Sequence, residues 1–266
     1  VQVANPPLAL IFGPFDPSGS SSLPADTVTC ARLGCHALGA VTGLQVRDTA
    51  VIESIQPVPP EVIDDQARCV LEDMTVQAIK VGAVYTAEAV SVLAQIAADY
   101  NQVPLVLQLV RLPDESLLEH GDTEDLQLAL FELLLPQANL VVIDYLLLEQ
   151  WQSQGVLPGG SAEAGIQALL EYGADWVLTS GMPLRPGQGS YLLQGQRNET
   201  AHFPWQAPPS RLTDADGPLT CAITVELARG RDIPEAVHAA IAQAEPLTAH
   251  YFQPGMGQRI INRCQP

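Results

Sequence analysis

Short apolar runs alternate along the chain with segments whose apolar residues recur at helical spacing. The runs Leu8–Gly13, Ala37–Leu44, Ala78–Gly82, Leu105–Val110, Leu140–Asp144 and Trp176–Ser180 predict strands. Between them, Asp26–Leu33, Pro60–Asp73, Ala87–Tyr100, Glu124–Leu134 and Ala162–Tyr172 predict helices. Strands that alternate with helices make βαβ units, so the pattern predicts an α/β fold with a largely parallel sheet covered on both faces. After Gly187 the rhythm changes. Tyr191 to Phe203 predicts a hairpin with a polar turn around Gly195 to Asn198, and the helices Leu219–Arg229 and Pro234–Tyr251 follow. The stretch after Gln253 is expected to be loose. Residues 1–266 are read as a single domain, with no internal repeat and no low-complexity tract.

Charge changes the picture in one respect. Charged residues make up 16% of the chain, and the net charge is −18, with Lys80 the only lysine. Nucleic acid is therefore excluded as a partner, since it needs clustered cations. The apolar runs are too short for a membrane helix, and the start reads as a first strand, not a leader. Cys30, Cys35, Cys69, Cys221 and Cys264 show no metal-finger spacing, and their odd number suggests free thiols in a cytoplasmic protein.

Ligands of open parallel sheets sit at the carboxyl ends of the strands. The loops there read "GPFDPSGSSS", "QVRDT", "QLVRLPDES", "DYLLLE" and "SGMP", and the loop before the penultimate helix reads "LTDADGP". With "FGPFDPSGSSSLPAD", "QPVPPEVIDDQ", "AIKVGAV", "LLPQAN" and "ELARGRDIPEAVHAA" in that order, the chain resembles the hydroxymethylpyrimidine/phosphomethylpyrimidine kinases of the ribokinase superfamily. The resemblance implies a ribokinase-like three-layer α/β/α sandwich, a homodimer, and transfer of the ATP γ-phosphate to a small heterocycle with Mg²⁺, as in thiamine biosynthesis.

The resemblance also assigns positions. Gly13, Asp26, Arg47, Val84 and Val110 fall at the substrate pocket, where Asp26 is expected to be partly buried beside the Gly13, Arg47 and Val110 loops. Asp26 suits either a ligand donor edge or a helix start, and Arg47 stands where the family has a glutamine that reads the pyrimidine. Ser180, Gly181, Asp214 and Ala215 fall on the nucleotide and phosphate segments. Asp144 and Glu149 fall near the metal positions, Glu149 two residues late, and Gln108-Leu109 replaces an Asp-Pro. Gly217 takes the place of the family's catalytic thiol, and a one-residue slip makes Asp216 the base.

Pro218 suits a helix start, which ordinarily attracts anions. Two carboxylates stand in the approach instead, so Asp214 or Asp216 is expected to cap the helix itself. Two functions remain open on the sequence: an ATP-dependent kinase with altered residues, or a catalytically silent relative that binds a small molecule or regulates.

Overall fold

Leu8–Phe15 (β1) is apolar on both faces and lies inside the sheet, which is why its run does not alternate. The computed structural model describes residues 5–118, 122–185 and 188–264. In chain order β1 is followed by α1 (Ser22–Arg32), β2 (His36–Arg47), β3 (Ile52–Pro57), α2 (Pro60–Asp73), β4 (Ala78–Val81), α3 (Ala87–Asp99) and β5 (Leu105–Gln108). Then come α4 (Thr123–Ala129), β6 (Leu140–Asp144), α5 (Tyr145–Ser153), α6 (Ala162–Glu171), β7 (Trp176–Arg185), β8 (Gln188–Gly195) and β9 (Thr200–Trp205). The chain closes with α7 (Gly217–Ala228), α8 (Ile233–Ala249), β10 (Tyr251–Phe252) and β11 (Ile260–Ile261).

Nine strands form one sheet in the order β3-β2-β1-β4-β5-β6-β7-β8-β9. The strands from β2 to β7 are parallel, and β3, β8 and β9 add antiparallel edges. One face is covered by α2 to α6, whose apolar stripes merge with Leu10, Phe12, Ile79 and Leu107 into the larger core. The other face is covered by α1, α7 and α8, where Ile223, Val237 and Ala240 meet Val106, Val142 and Leu178. The fold class expected from the sequence is therefore the observed one. The hairpin is present too, with Tyr191 opposite Phe203.

Polar side chains fix the helix starts that define the loops. Thr86, Asp122, Asp144, Ser161 and Asp232 each accept a backbone N–H of the following turn. The predicted helix Glu124–Leu134 widens after Ala129 into a π-turn and then tightens into a 3₁₀ turn ending at Gln137, where Pro136 cannot continue an α-helix.

Two expectations need correction. The loop "DYLLLE" is helix α5, started by Asp144. The stretch after Gln253 is not loose: β11 pairs with β10, and the Gln258 N–H donates to Thr49 O at 2.8 Å. Ile260, Ile261 and Arg263 are buried. This segment carries Arg263 back to the carboxyl ends of the strands.

Candidate functional site

Two cavities open at the carboxyl ends of the central strands, and they share the walls Gln108, Val110, Arg111 and Asp214. The first, about 460 Å³, lies over β1, β2, β4 and β5 and is lined by Gly13, Asp26, Gln45, Lys80, Tyr85 and Asp214 among others. The second, about 630 Å³, lies over β5 to β8 and is lined by Asp144, Tyr145, Ser180, Tyr191, Trp205 and Asp216 among others. Both volumes suit small molecules.

The first cavity has a rigid floor. Asp16 is buried and accepts five hydrogen bonds, from Ser18 N and Oγ, Ser20 Oγ, and Ser21 N and Oγ, at 2.6 to 3.0 Å. Ser18, Ser20 and Ser21 thus tie the loop to its aspartate. Burial would raise the Asp16 pKa, but Ser18, Arg47, Ser20 and Ser21 together hold it below the usual carboxylate value. Lys80 points from β4 to Asp26 Oδ2 at 2.5 Å, and both side chains are 2–3% exposed. Burial opposes the ammonium charge, yet Asp26 more than offsets it and keeps the lysine pKa raised. The thiol of Cys221 donates to the other Asp26 oxygen at 3.1 Å. Asp26 is thus more deeply buried than expected and largely occupied by the protein itself.

Arg47 does not line this cavity. A register irregularity between Val46 and Arg47 accompanies its turn to Asp16, 3.7 Å away, while Gln45 lines the wall. Gln45 Nε2 donates to Tyr85 Oη at 2.7 Å, whereas its Oε1 is buried without a partner. Tyr85 can lie this close because position 43 is glycine, where a Cβ would meet the tyrosine ring at 2.7 Å. Val84 also falls outside, packed in the core, while its neighbours Ala83 and Tyr85 reach the wall.

The junction of the cavities is carboxylate-rich. Asp214 adopts φ 55°, a left-handed conformation that suits glycine. Its side chain covers Gly217, so any Cβ there would clash with the Asp214 carboxylate. Glycine at 217 and the acid at 214 are thus sterically coupled. Asp214 Oδ2 is buried without a hydrogen-bond partner, and Arg263 Nη2, similarly unpartnered, stands 3.6 Å from it. Arg263 is anchored elsewhere, by Nε donating to Thr29 Oγ1 at 2.9 Å and Nη1 to Ser20 O at 3.4 Å. Burial, with the Asp26 charge added, pushes the Asp214 pKa up to about 7 against the pull of Arg263 and Lys80. Asp216 accepts from Ser180 Oγ at 2.6 Å, and burial pushes its pKa up to about 6.

Neither acid caps α7 with its side chain, which corrects the self-capping expectation. Gly217 N donates to Asp214 O at 3.1 Å, and Thr220 N makes the first ordinary helical bond, to Asp216 O at 3.0 Å. Pro218 has no N–H to offer.

The metal positions do not gather. Asp144 Oδ1 accepts the Leu147 N–H at 2.9 Å as the cap of α5. Glu149 is exposed, accepts from Tyr145 Oη at 2.6 Å, and lines neither cavity. Among the described residues no three His, Cys, Asp or Glu converge on a metal position. These donors do not fit Mg²⁺. The second cavity has the size for a nucleotide and the aromatic walls Tyr145, Tyr191 and Trp205, with Ser180, Gly181 and Ala215 beside Asp216. Its charged lining is Asp144, Asp214, Asp216 and Glu245 against Arg111. A carboxylate about 4 Å from a phosphate charge costs roughly 4 kcal/mol at an effective dielectric near 20, the whole affinity of a roughly millimolar ligand. Ionised, Asp214 and Asp216 therefore oppose a phosphate placed at this corner.

Gln45, Lys80, Tyr85 and Arg263 belong to the site beyond the residues expected from the sequence. Lys80 carried a signal, as a single charge inside the strand "AIKV" that must find a partner when buried. Arg263 carried none, because the long chain path between it and Asp214 has no periodic pattern to link them.

A family model described as phosphomethylpyrimidine kinase matches residues 16–262. The hydroxymethylpyrimidine/phosphomethylpyrimidine kinase of Mycobacterium tuberculosis is 32% identical over 237 residues, covering 88% of this chain and 85% of that one. The enzyme of that name from Streptomyces coelicolor is 28% identical over 243 residues, covering 89% and 86%. Among solved structures, the phosphomethylpyrimidine kinase of Clostridium difficile superposes with a TM-score of 0.72 at 22% identity, covering 90% of this chain and 98% of that one. Staphylococcus aureus pyridoxal kinase in complex with ADP reaches 0.81 at 20% identity, covering 98% and 94%. Together with the ribokinase-like sheet and its paired cavities, the match places the chain in the phosphomethylpyrimidine kinase family.

Proposed function

We propose that this chain keeps the heterocycle-binding half of a family kinase and is silent in phosphoryl transfer. The observation that carries this is the contrast between the cavities. Around the first, Asp16 and Asp26 each have cations or donors that balance them, and Gln45 offers a free acceptor to a ligand. At the junction, Asp214 and Asp216 occupy the segment that in the family holds the transferred phosphoryl, and Pro218 leaves the helix start one donor short. The ligand is an aminopyrimidine or related small heterocycle of the kind its relatives are named for. Its ring donors meet Gln45 Oε1, and the apolar walls Ile52, Ile55, Val110 and Leu112 flank it.

A second reading, ATP-dependent phosphorylation of hydroxymethylpyrimidine or its phosphate, is favoured by Asp216. It lines the second cavity with a pKa near 6, close to that wanted of a general base. Thermal shift with 4-amino-5-hydroxymethyl-2-methylpyrimidine, with Mg-ATP, and with both, together with ADP detection, separates the two. The pyrimidine should raise Tm, Mg-ATP should not, and no ADP should form. Steady ADP release dependent on the pyrimidine sinks the silent reading and establishes the kinase one.

A further inference from the structure

Buried polar atoms without partners are rare in folded proteins, and each asks for an explanation. The first cavity has two on its walls. Gln45 Oε1 is one, on a residue 9% exposed, held in place by the amide's bond to Tyr85. Asp214 Oδ2 is the other, at the junction with the second cavity. Both are acceptors, so the ligand that completes them must donate at both. Gln45 lies on β2 and Asp214 stands beside Gln108 on β5. Three strand spacings separate those strands in the sheet order, about 14 Å between backbones, which a ring with a short arm spans once the side chains reach inward.

Charge decides what kind of donor sits at Asp214. The Asp26 carboxylate has Lys80 in contact, and Asp16 has Arg47 and a shell of serine donors. Asp214 has Arg263 at 3.6 Å without a hydrogen bond and the pull of Lys80, which it shares with Asp26, and Asp216 beside it has the neutral Ser180 hydroxyl. Gln108 gives Asp214 no charge, and its Oε1 already accepts from Thr220 Oγ1 at 3.0 Å. With Asp26, Asp214 and Asp216 against Lys80 and Arg263, the junction holds one buried carboxylate more than it has cations. A neutral hydroxyl from a ligand would leave that charge standing, whereas an ammonium would cancel it and donate up to three hydrogen bonds.

We propose that the ligand of the first cavity is an aminomethyl heterocycle whose ring amino edge donates to Gln45 Oε1 and whose primary ammonium is held by Asp214 at the cavity junction. This rests on the heterocycle-binding reading and narrows it. It assigns Asp214 a substrate-selecting role in a segment that serves phosphate in the family. The complex forms by hydrogen bonding and ion pairing alone, with no bond made or broken.

The test compares 4-amino-5-aminomethyl-2-methylpyrimidine with the 5-hydroxymethyl compound by calorimetry on the unmodified protein. The aminomethyl compound should bind at least about tenfold more tightly. Asp214→Gly, which suits the left-handed backbone and keeps the fold, should abolish that preference. Gln45→Leu should weaken both compounds by a similar factor and leave the preference intact. Equal or tighter binding of the hydroxymethyl compound overturns the proposal while leaving the heterocycle-binding reading standing, as does a preference that survives Asp214→Gly. Binding of neither compound overturns both.

Discussion

The floor of the first cavity and the junction above α7 lie on the same edge of the same sheet, yet they treat charge in opposite ways. Around Asp16 and Asp26 every carboxylate is matched, by five hydrogen bonds in one case and by Lys80 and a thiol in the other. At Asp214 and Asp216 the carboxylates exceed their partners, and burial raises both pKa values. A matched buried charge fixes structure and is costly to break. An unmatched one keeps the site under tension and is available to a ligand. The comparison teaches that two cavities sharing one wall can treat buried charge differently, because different side chains partner each carboxylate.

The sharpest way to break the comparison is to unmatch the matched side. Lys80→Met leaves Asp26 buried and unpaired and should cost about 3–5 kcal/mol, measured by chemical denaturation. A loss near zero would mean that the pair is not buried in solution. Asp16→Ala removes the shared acceptor of the loop at Ser18 to Ser21 and should cost about 2–3 kcal/mol. Hydrogen exchange at the Ser18 and Ser21 amides should rise with it.

Relieving the unmatched side should act in the other direction. Asp214→Gly removes both the left-handed strain and a buried acid and should stabilise by about 1 kcal/mol at pH 8. The sign with pH follows from the raised pKa. Between the ordinary carboxylate value of 3.8 and about 7, folded Asp214 holds a proton that the unfolded chain releases. The native state therefore loses stability as pH rises through that window, and the gain from Asp214→Gly should shrink towards pH 4. An urea series at pH 5 and pH 8 checks the slope. The smallest expected effect is that of Mg-ATP at millimolar concentration, which should shift Tm by less than about 1 °C, since negligible binding gives negligible stabilisation.

The sheet, both helical layers and the hairpin were legible in the sequence because buried parallel strands and amphipathic helices print their periods directly. Strand β3 was missed because "IESIQP" alternates polar and apolar residues too briefly. Helix α5 was missed because Asp144 was read as a ligand when it is a cap. The site was less legible than the fold. Motif register pointed to Arg47, but side-chain direction depends on local backbone, and the irregularity after Val46 hands the cavity wall to Gln45. The acid pair at 214 and 216 was visible, but not which way each carboxylate turns. That depends on Ser180 and Arg263, which sit on distant segments.

The carboxylate lying over Gly217 also sets an order on any change at these two positions. A side chain introduced at 217 while Asp214 remains would meet that carboxylate, so the single step is blocked. Glycine at 214 must come first, and only then is there room at 217 for anything larger than hydrogen. The two positions can therefore vary only in sequence, never in either order.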